Sequence, residues 1–216
     1  MKPMSKVKIK WSRDFAYVIG LLTTDGSLSS DGRHISFTSK DKELVENVNN
    51  GLSISCNFGM KGNGINKEKK YFVIQIGDVL FYKFLMEIGL MPNKTKILSG
   101  IKIPNKYFFD FLRGHFDGDG SFYSYWDKRW KNSFMFYLSF ASASKKHIYW
   151  LQHKISDFLG VFGHITLASG KSCYQLKYAK SESMKIVRNM YKGTSFLCLR
   201  RKHLKIFKAF AILKSI

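Results

Sequence analysis

An aspartate followed by Gly-Ser occurs twice, each time after an apolar stretch with a glycine five residues before the acid. Asp25 is the acid of the first copy and Asp119 that of the second, with Gly20 and Gly114 as the preceding glycines. Each stretch predicts a helix, and the glycine after the acid predicts a left-handed residue that ends it. A carboxylate in the last turn is disfavoured by about 0.3 to 1 kcal/mol at the negative end of the helix dipole. We therefore expect a positive partner for each acid.

The two predicted helices are expected to pack side by side, since glycine lets two helix backbones approach closely. Two carboxylates about 4 Å apart repel by roughly 4 kcal/mol at an effective dielectric constant of 20, so the pair requires a cation. A hard divalent ion suits this place, with a carboxylate and a carbonyl from each half and phosphate oxygens of a substrate as ligands. The alternative is that both Asp-Gly ends are ordinary exposed turns, which the matched pair argues against.

Charge and composition narrow the class of partner. The chain of 216 residues has 36 Lys and Arg against 15 Asp and Glu, a net charge of +21. This balance points to a polyanion, with nucleic acid as the first candidate. A membrane surface is disfavoured because no run of about 18 apolar residues occurs. The three cysteines lack CxxC spacing, which indicates neither a disulfide framework nor a zinc site.

The helices and strands that are predicted to position the two acids occur in the same order in each half of the chain. Helical periodicity and strand alternation predict the order helix, hairpin, helix, hairpin, helix in each half, with helices over 15–25 and up to residue 119 carrying the acids. Ser12 and Asn105 are the predicted N-caps of these two helices. The first hairpin turns at Asp31-Gly32, and its strands are polar on one face and apolar on the other. Antiparallel sheets with helices on one face predict an α+β fold.

Both copies resemble the signature of the LAGLIDADG homing endonucleases, in the single-chain form with two motifs. The segment from Ile103 to Ser121 is the more typical copy, whereas the first has Thr23 and Thr24 before its acid. The resemblance implies two pseudo-symmetric αββαββα halves, residues 1–101 and 102–216, in a monomer. Their antiparallel sheets would form a DNA-binding saddle, with the motif helices at the central interface.

The implied activity is site-specific double-strand DNA cleavage by phosphodiester hydrolysis with Mg²⁺ or Mn²⁺, with Ca²⁺ supporting binding without cleavage. Asp25 and Asp119 would hold the metal together with the carbonyls of Thr24 and Gly118. Auxiliary catalytic side chains are expected in each half. By position these are Lys94 in the first half and Lys202, or alternatively Arg201, in the second.

The implied DNA-facing side chains lie on the polar faces of the strands and at the hairpin tips. Strand residues suit base edges, and basic residues at the tips suit phosphates. The predicted set is Ser27, Ser29, Arg33, His34, Ser36, Lys61, Lys67, Lys69, Gln75, Ser121, Tyr123, Tyr125, Lys128, Arg129, Lys131, Ser139, His164, Thr166, Gln175 and Lys177.

Two other functions fit the same fold. One is an RNA-binding helper of intron splicing, a maturase, because a basic surface serves either nucleic acid. The other is a DNA-binding regulator without cleavage, which the retention of both acids argues against. The start of the chain lacks the apolar core of a secretory signal, so we expect an intracellular protein, organellar or bacterial.

Overall fold

The computed structural model describes residues 5–62, 70–130, 133–167 and 173–215. The elements of the first half follow the predicted order. They are α1 (Arg13–Asp25), β1 (Gly26–Leu28), β2 (His34–Ser39), α2 (Lys42–Leu52), β3 (Phe58–Gly62), β4 (Lys70–Gly77) and α3 (Val79–Ile88). A 3-10 turn over Lys94–Lys96 follows α3.

The second half repeats this order and adds a C-terminal helix. Its elements are α4 (Phe108–Asp119), β5 (Ser121–Trp126), β6 (Phe134–Ser142), α5 (Lys145–Leu159), β7 (His164–Leu167), β8 (Tyr174–Tyr178), α6 (Lys180–Met190) and α7 (Arg200–Ser215). The division at residue 101 stays a prediction.

Each half contributes one antiparallel four-stranded sheet. The strand orders are β1-β2-β4-β3 and β5-β6-β8-β7, which are the same arrangement in the two halves. Alternate residues such as Ile35, Phe37, Leu138 and Phe140 point into the core and are almost fully buried. The other face of each sheet is polar. This confirms the predicted α+β fold of two pseudo-symmetric halves.

The two halves meet where α1 packs directly against α4. A β-carbon on Gly114 would lie 2.0 Å from the carbonyl oxygen of Tyr17, and one on Gly20 would lie 2.2 Å from that of Phe111. Neither position has room for a side chain. The predicted close approach at the paired glycines is therefore what the structure shows.

The glycines that follow the acids do not have the predicted conformation. Gly26 has φ −78° and Gly120 has φ −81°, both extended rather than left-handed. In each half the chain passes straight from the motif helix into the first strand, so no left-handed residue is needed. Space is the physical reason for glycine, since a β-carbon on Gly26 would lie 2.4 Å from the Leu22 carbonyl oxygen.

The two predicted N-caps have different outcomes. Ser12 caps α1, with its hydroxyl accepting a hydrogen bond from the Phe15 amide at 3.1 Å. Asn105 does not cap α4, because it begins a 3-10 turn over Asn105–Tyr107 that leads into the helix. The pattern of apolar residues does not distinguish this turn from the first turn of the helix.

In the described part of the chain, no helix combines the length and the apolar character required to cross a membrane.

We predict that Gly114→Ala lowers the free energy of unfolding by about 1 to 3 kcal/mol or more, because the added methyl group would force the α1 and α4 backbones apart. Gly59→Ala is the matched control, since its β-carbon would lie 3.8 Å from the nearest atom, a Val73 methyl carbon. Urea unfolding at neutral pH measures both. Equal stability of the two variants would contradict the tight helix contact.

Candidate active site

The two predicted acids end the helices α1 and α4 and lie at the same end of the helix pair. Asp25 is partly buried and Asp119 is exposed, so both reach solvent. A β-carbon on Gly118 would lie 2.7 Å from Oδ2 of Asp25. The Asp25 carboxylate therefore lies directly against the residue that precedes Asp119. The structure brings together the two groups that the sequence separates by 94 positions.

Lys94 supplies the positive charge in the first half. It lies on the 3-10 turn that follows α3, and it is only 8% exposed. Its ammonium donates to the carbonyl oxygen of Thr24 at 3.3 Å and to that of Gly26. These carbonyls belong to the C-terminal end of α1, where helix backbones lack partners. A lysine at this end also compensates the helix dipole.

Lys202 does the same in the second half, from the first turn of α7. Its ammonium donates to the carbonyl oxygens of Gly118 at 3.2 Å and Gly120 at 2.7 Å. It also donates to those of Phe116 and Asp117, at 2.7 and 2.8 Å. Gly118 and Gly120 stand one residue before and one after the acid, as Thr24 and Gly26 do in the first half. The two lysines thus occupy equivalent places, although they come from different elements.

The carboxyl groups hold their protons more tightly than ordinary aspartates. Loss of solvent and then the charge of Asp119 raise the pKa of Asp25 to about 6, against the lowering effect of Thr24 and the two lysines. Loss of solvent also raises the pKa of Asp119, while Lys202 and Lys94 lower it. Negative charge at this place is therefore only partly compensated by the chain itself.

Burial also changes the two lysines. It lowers the pKa of Lys94, and it lowers the pKa of Lys202 to about 8. The acids oppose these shifts, and a pKa of about 8 still leaves Lys202 mostly charged at neutral pH. Lys202 therefore acts as a cation beside the acids.

The donor set fits a hard divalent cation. Among the described residues there is no group of three or more His, Cys, Asp and Glu side chains that could hold a metal. The oxygen atoms at the two helix ends include the two carboxylates and the carbonyls of Thr24 and Gly118, and hard ions prefer such ligands. The raised pKa of both acids indicates that an added cation would be favourable here.

Asp117 is a residue at this site that the sequence did not single out. Its Oδ2 accepts hydrogen bonds from the Tyr17 hydroxyl at 2.8 Å and from the Leu199 amide at 2.6 Å. It is 1% exposed, and burial raises its pKa to about 7. Leu199 immediately precedes α7, so Asp117 ties the start of that helix to α4 and thereby places Lys202. The equivalent residue in the first half is Thr23, so an extra acid in one motif was the available signal.

Arg201 lies beside this site without reaching the acids. Its guanidinium donates to both carboxylate oxygens of Asp41, at 2.9 and 2.7 Å. Asp41 is the residue before α2 in the first half, so the pair joins the two halves. Of the two candidates for the second half, Lys202 therefore has the position that matches Lys94.

Most of the predicted DNA-facing strand residues share the polar faces. The strand registers place one set on the face opposite the core. This set is Ser27, Ser36, Lys61, Gln75, Ser121, Tyr123, Tyr125, Ser139, His164, Thr166, Gln175 and Lys177. Ser29 lies just beyond the end of β1.

Several basic side chains that were predicted to contact DNA form ion pairs within the chain, and others lie outside the described residues. The His34 ring and the Arg33 guanidinium both contact the carboxylate of Asp31. Arg129, at the tip after β5, forms an ion pair with Asp127 at 2.9 Å, and its neighbour Lys128 is exposed. The predicted contacts at Lys67, Lys69 and Lys131 lie outside the described residues.

Two similar halves, each with an acid at the end of a central helix and a four-stranded sheet, define the class of protein. A protein-family sequence model described as "LAGLIDADG-like domain" matches residues 12–89. A second family model, described as "LAGLIDADG endonuclease", matches residues 112–211. The chain belongs to the LAGLIDADG family.

Relatives and solved structures extend this comparison. An uncharacterized protein of Methanocaldococcus jannaschii is 28% identical over 182 residues, which cover 79% of this chain and 19% of that protein. The chain thus spans about a fifth of the length of this curated relative.

Three solved structures share the fold. I-WcaI bound to its DNA recognition sequence has a TM-score of 0.62 and 14% identity, covering 91% of this chain and 88% of that chain. I-DmoI in complex with DNA and Mn has a TM-score of 0.54 and 16% identity, covering 85% and 98%. Full-length WhiA from Thermatoga maritima has a TM-score of 0.59 and 15% identity, covering 96% and 63%.

We predict that Asp25→Asn stabilises the metal-free protein at pH 7 by about 1 to 2 kcal/mol. The folded pKa of Asp25, about 6, exceeds that of an unfolded chain, so the folded state holds a proton that the unfolded state releases. The free energy of unfolding therefore falls as pH rises from about 4 to about 6, and asparagine removes this loss.

Denaturant unfolding in EDTA at pH 4 and pH 7 measures this difference, which should vanish near pH 4. Asp157→Asn, which changes an exposed acid on α5, is the control and should have no effect at either pH. A less stable Asp25→Asn variant at pH 7 would contradict the raised pKa of Asp25 in the folded protein.

A further prediction concerns Lys94. Lys94→Met removes a positive charge that lowers the pKa of Asp25, so that pKa should rise above about 6. Carboxyl ¹³C NMR titration measures the change, with Lys61→Met as a control at the exposed far end of β3. An unchanged pKa of Asp25 would show that Lys94 does not compensate the acid.

Proposed function

We propose that this protein is a site-specific, metal-dependent endonuclease that cleaves both strands of duplex DNA. The observation that carries the proposal is the symmetric pair of acids. Beside each acid, a lysine donates hydrogen bonds to the carbonyls of the residues before and after that acid. One acid and one lysine come from each half, so the site offers one equivalent set of groups to each strand of a duplex.

The two polar sheet faces supply a surface for the substrate. Each polar face begins two residues after an acid, at Ser27 in one half and at Ser121 in the other. A ribbon of antiparallel strands fits the major groove of DNA. The net charge of +21 favours binding to a polyanion. These features would place a phosphate near the acids while the strands contact the bases on either side.

The chemistry follows from the groups of this chain. In hydrolysis a water oxygen bonds to phosphorus and that water gives up a proton to solvent. The bond from phosphorus to a sugar oxygen breaks, and the sugar oxygen leaves with a proton from solvent. Asp25 and Asp119, with the carbonyls of Thr24 and Gly118, would hold the divalent ions. When bound, such ions offset negative charge on the phosphate and make water more acidic. Lys94 and Lys202 keep the acids ionised and add positive charge where the phosphate becomes more negative.

Magnesium is the ion that we propose, with manganese as a substitute. I-DmoI contains Mn in its complex with DNA, and I-SmaMI is bound to an uncleaved DNA target in the presence of calcium ions. We infer that calcium likewise supports binding by this chain without cleavage. Because one chain carries both acids, we further propose that it acts as a monomer. Its gene would be free-standing or lie within an intron.

The second candidate function is a DNA-binding regulator of the same fold that does not cleave. One observation favours it, since Lys94 and Lys202 donate hydrogen bonds to the carbonyls proposed as metal ligands. The fold does not separate the two functions, because WhiA and the endonucleases share it. Sequence-selective binding without cleavage in any divalent metal would favour the regulator.

The test of the proposal is cleavage by Asp25→Asn and Asp119→Asn. Each variant should cut at least about a hundredfold more slowly in Mg²⁺, because one carboxylate ligand is lost. Binding of the same DNA in Ca²⁺ should stay measurable, since the sheet faces are unchanged. Asp157→Asn, which changes an exposed acid on α5, is the control and should cut as the unmodified protein does. Full cutting by either active-site variant would refute the assignment.

A further inference from the structure

On the polar face of each sheet, a row of paired side chains crosses the strands. Each row starts two residues after an acid. In the first half Ser27 pairs with Ser36, which pairs with Gln75. In the second half Ser121 pairs with Ser139, which pairs with Lys177. Ser27 and Ser121 each stand two residues after an acid. The strand registers alone thus make Gln75 and Lys177 equivalent.

The two rows are identical up to this third position. Each begins with two serines, and the third side chain differs in chemistry, an amide in one half and an ammonium in the other. Beyond it, Lys177 pairs with His164 of β7. Both Gln75 and Lys177 are exposed. Neither side chain has a hydrogen-bond or ion-pair partner among the residues that the structure describes. Both are therefore available to a ligand on this face.

The strands that carry them are interior strands of their sheets. Gln75 lies on β4, paired with β2 and one residue beyond the ladder with β3, and Lys177 lies on β8, between β6 and β7. Lys177 borders a cavity of about 260 Å³ whose other walls include Tyr123, Tyr137 and Gln175. Strand side chains in the major groove can reach base edges, whereas contacts to phosphates position the protein without reading the sequence.

We propose that Gln75 and Lys177 read the same position in the two halves of the DNA target, where they select different bases. This inference rests on the proposed function. Glutamine matches the N6 and N7 groups of adenine, and lysine matches the O6 and N7 acceptors of guanine. The target is therefore asymmetric at this position. One half-site carries an A·T pair and the other carries a G·C pair equally far from the centre.

The test exchanges the two side chains. The full chain and its variants Gln75→Lys, Lys177→Gln and the double exchange are incubated in Ca²⁺ with a pool of randomised duplex DNA, and bound molecules are sequenced. The unmodified protein should select adenine and guanine at symmetric positions, each by on the order of tenfold to a hundredfold over other bases.

Each variant has its own expected outcome. Gln75→Lys should select guanine in both half-sites, and Lys177→Gln should select adenine in both. The double exchange should reverse the asymmetry at this position only. Lys61→Gln is the control, because it removes an exposed charge at the far end of β3. It should weaken binding and its salt dependence without changing any base preference.

Two outcomes would overturn the inference, and they are distinguishable. If a target is selected but neither exchange alters a base preference, Gln75 and Lys177 do not read bases, and the proposed function stands. If the unmodified protein selects no sequence, both the base reading and the site-specific function are wrong. Circular dichroism of each variant establishes that a lost preference is not lost folding.

Discussion

The close packing of α1 against α4 determines the rest of the structure. Gly20 and Gly114 leave no room for a side chain, so the helix backbones touch and their C-terminal ends come together. Two carboxylates then lie at the negative ends of two helix dipoles, an arrangement that is unfavourable by itself. The two lysines, the raised pKa values of the acids and the fit to a divalent cation all follow from this contact.

The two halves share a design but differ where they are specialised. Lys94 comes from a short turn after α3, whereas Lys202 comes from α7, which has no counterpart in the first half. Asp117 anchors the start of α7, while the equivalent Thr23 bonds to the carbonyl of Ile19 in its own helix. The chain thus uses different supports for equivalent charges.

Much of the framework could be predicted from the sequence because its signals are local. Alternation of apolar and polar residues predicts the strands and their faces, and the Ser12 cap predicts the start of α1. The conformation of Gly26 and Gly120 could not be predicted, because steric crowding and not a left-handed turn requires glycine there. The role of Asp117 could not be predicted either, since its partners Tyr17 and Leu199 are distant in sequence.

The paired acids, with divalent metal, should cleave both strands of DNA. Incubation of the purified chain with a pool of randomised duplexes in Mg²⁺, followed by sequencing of the cut ends, tests it most directly. We predict magnesium-dependent cuts in both strands at one long site of partial two-fold symmetry, and binding of the same site without cuts in Ca²⁺. Selective binding with no cuts in Mg²⁺ or Mn²⁺ would contradict the claim.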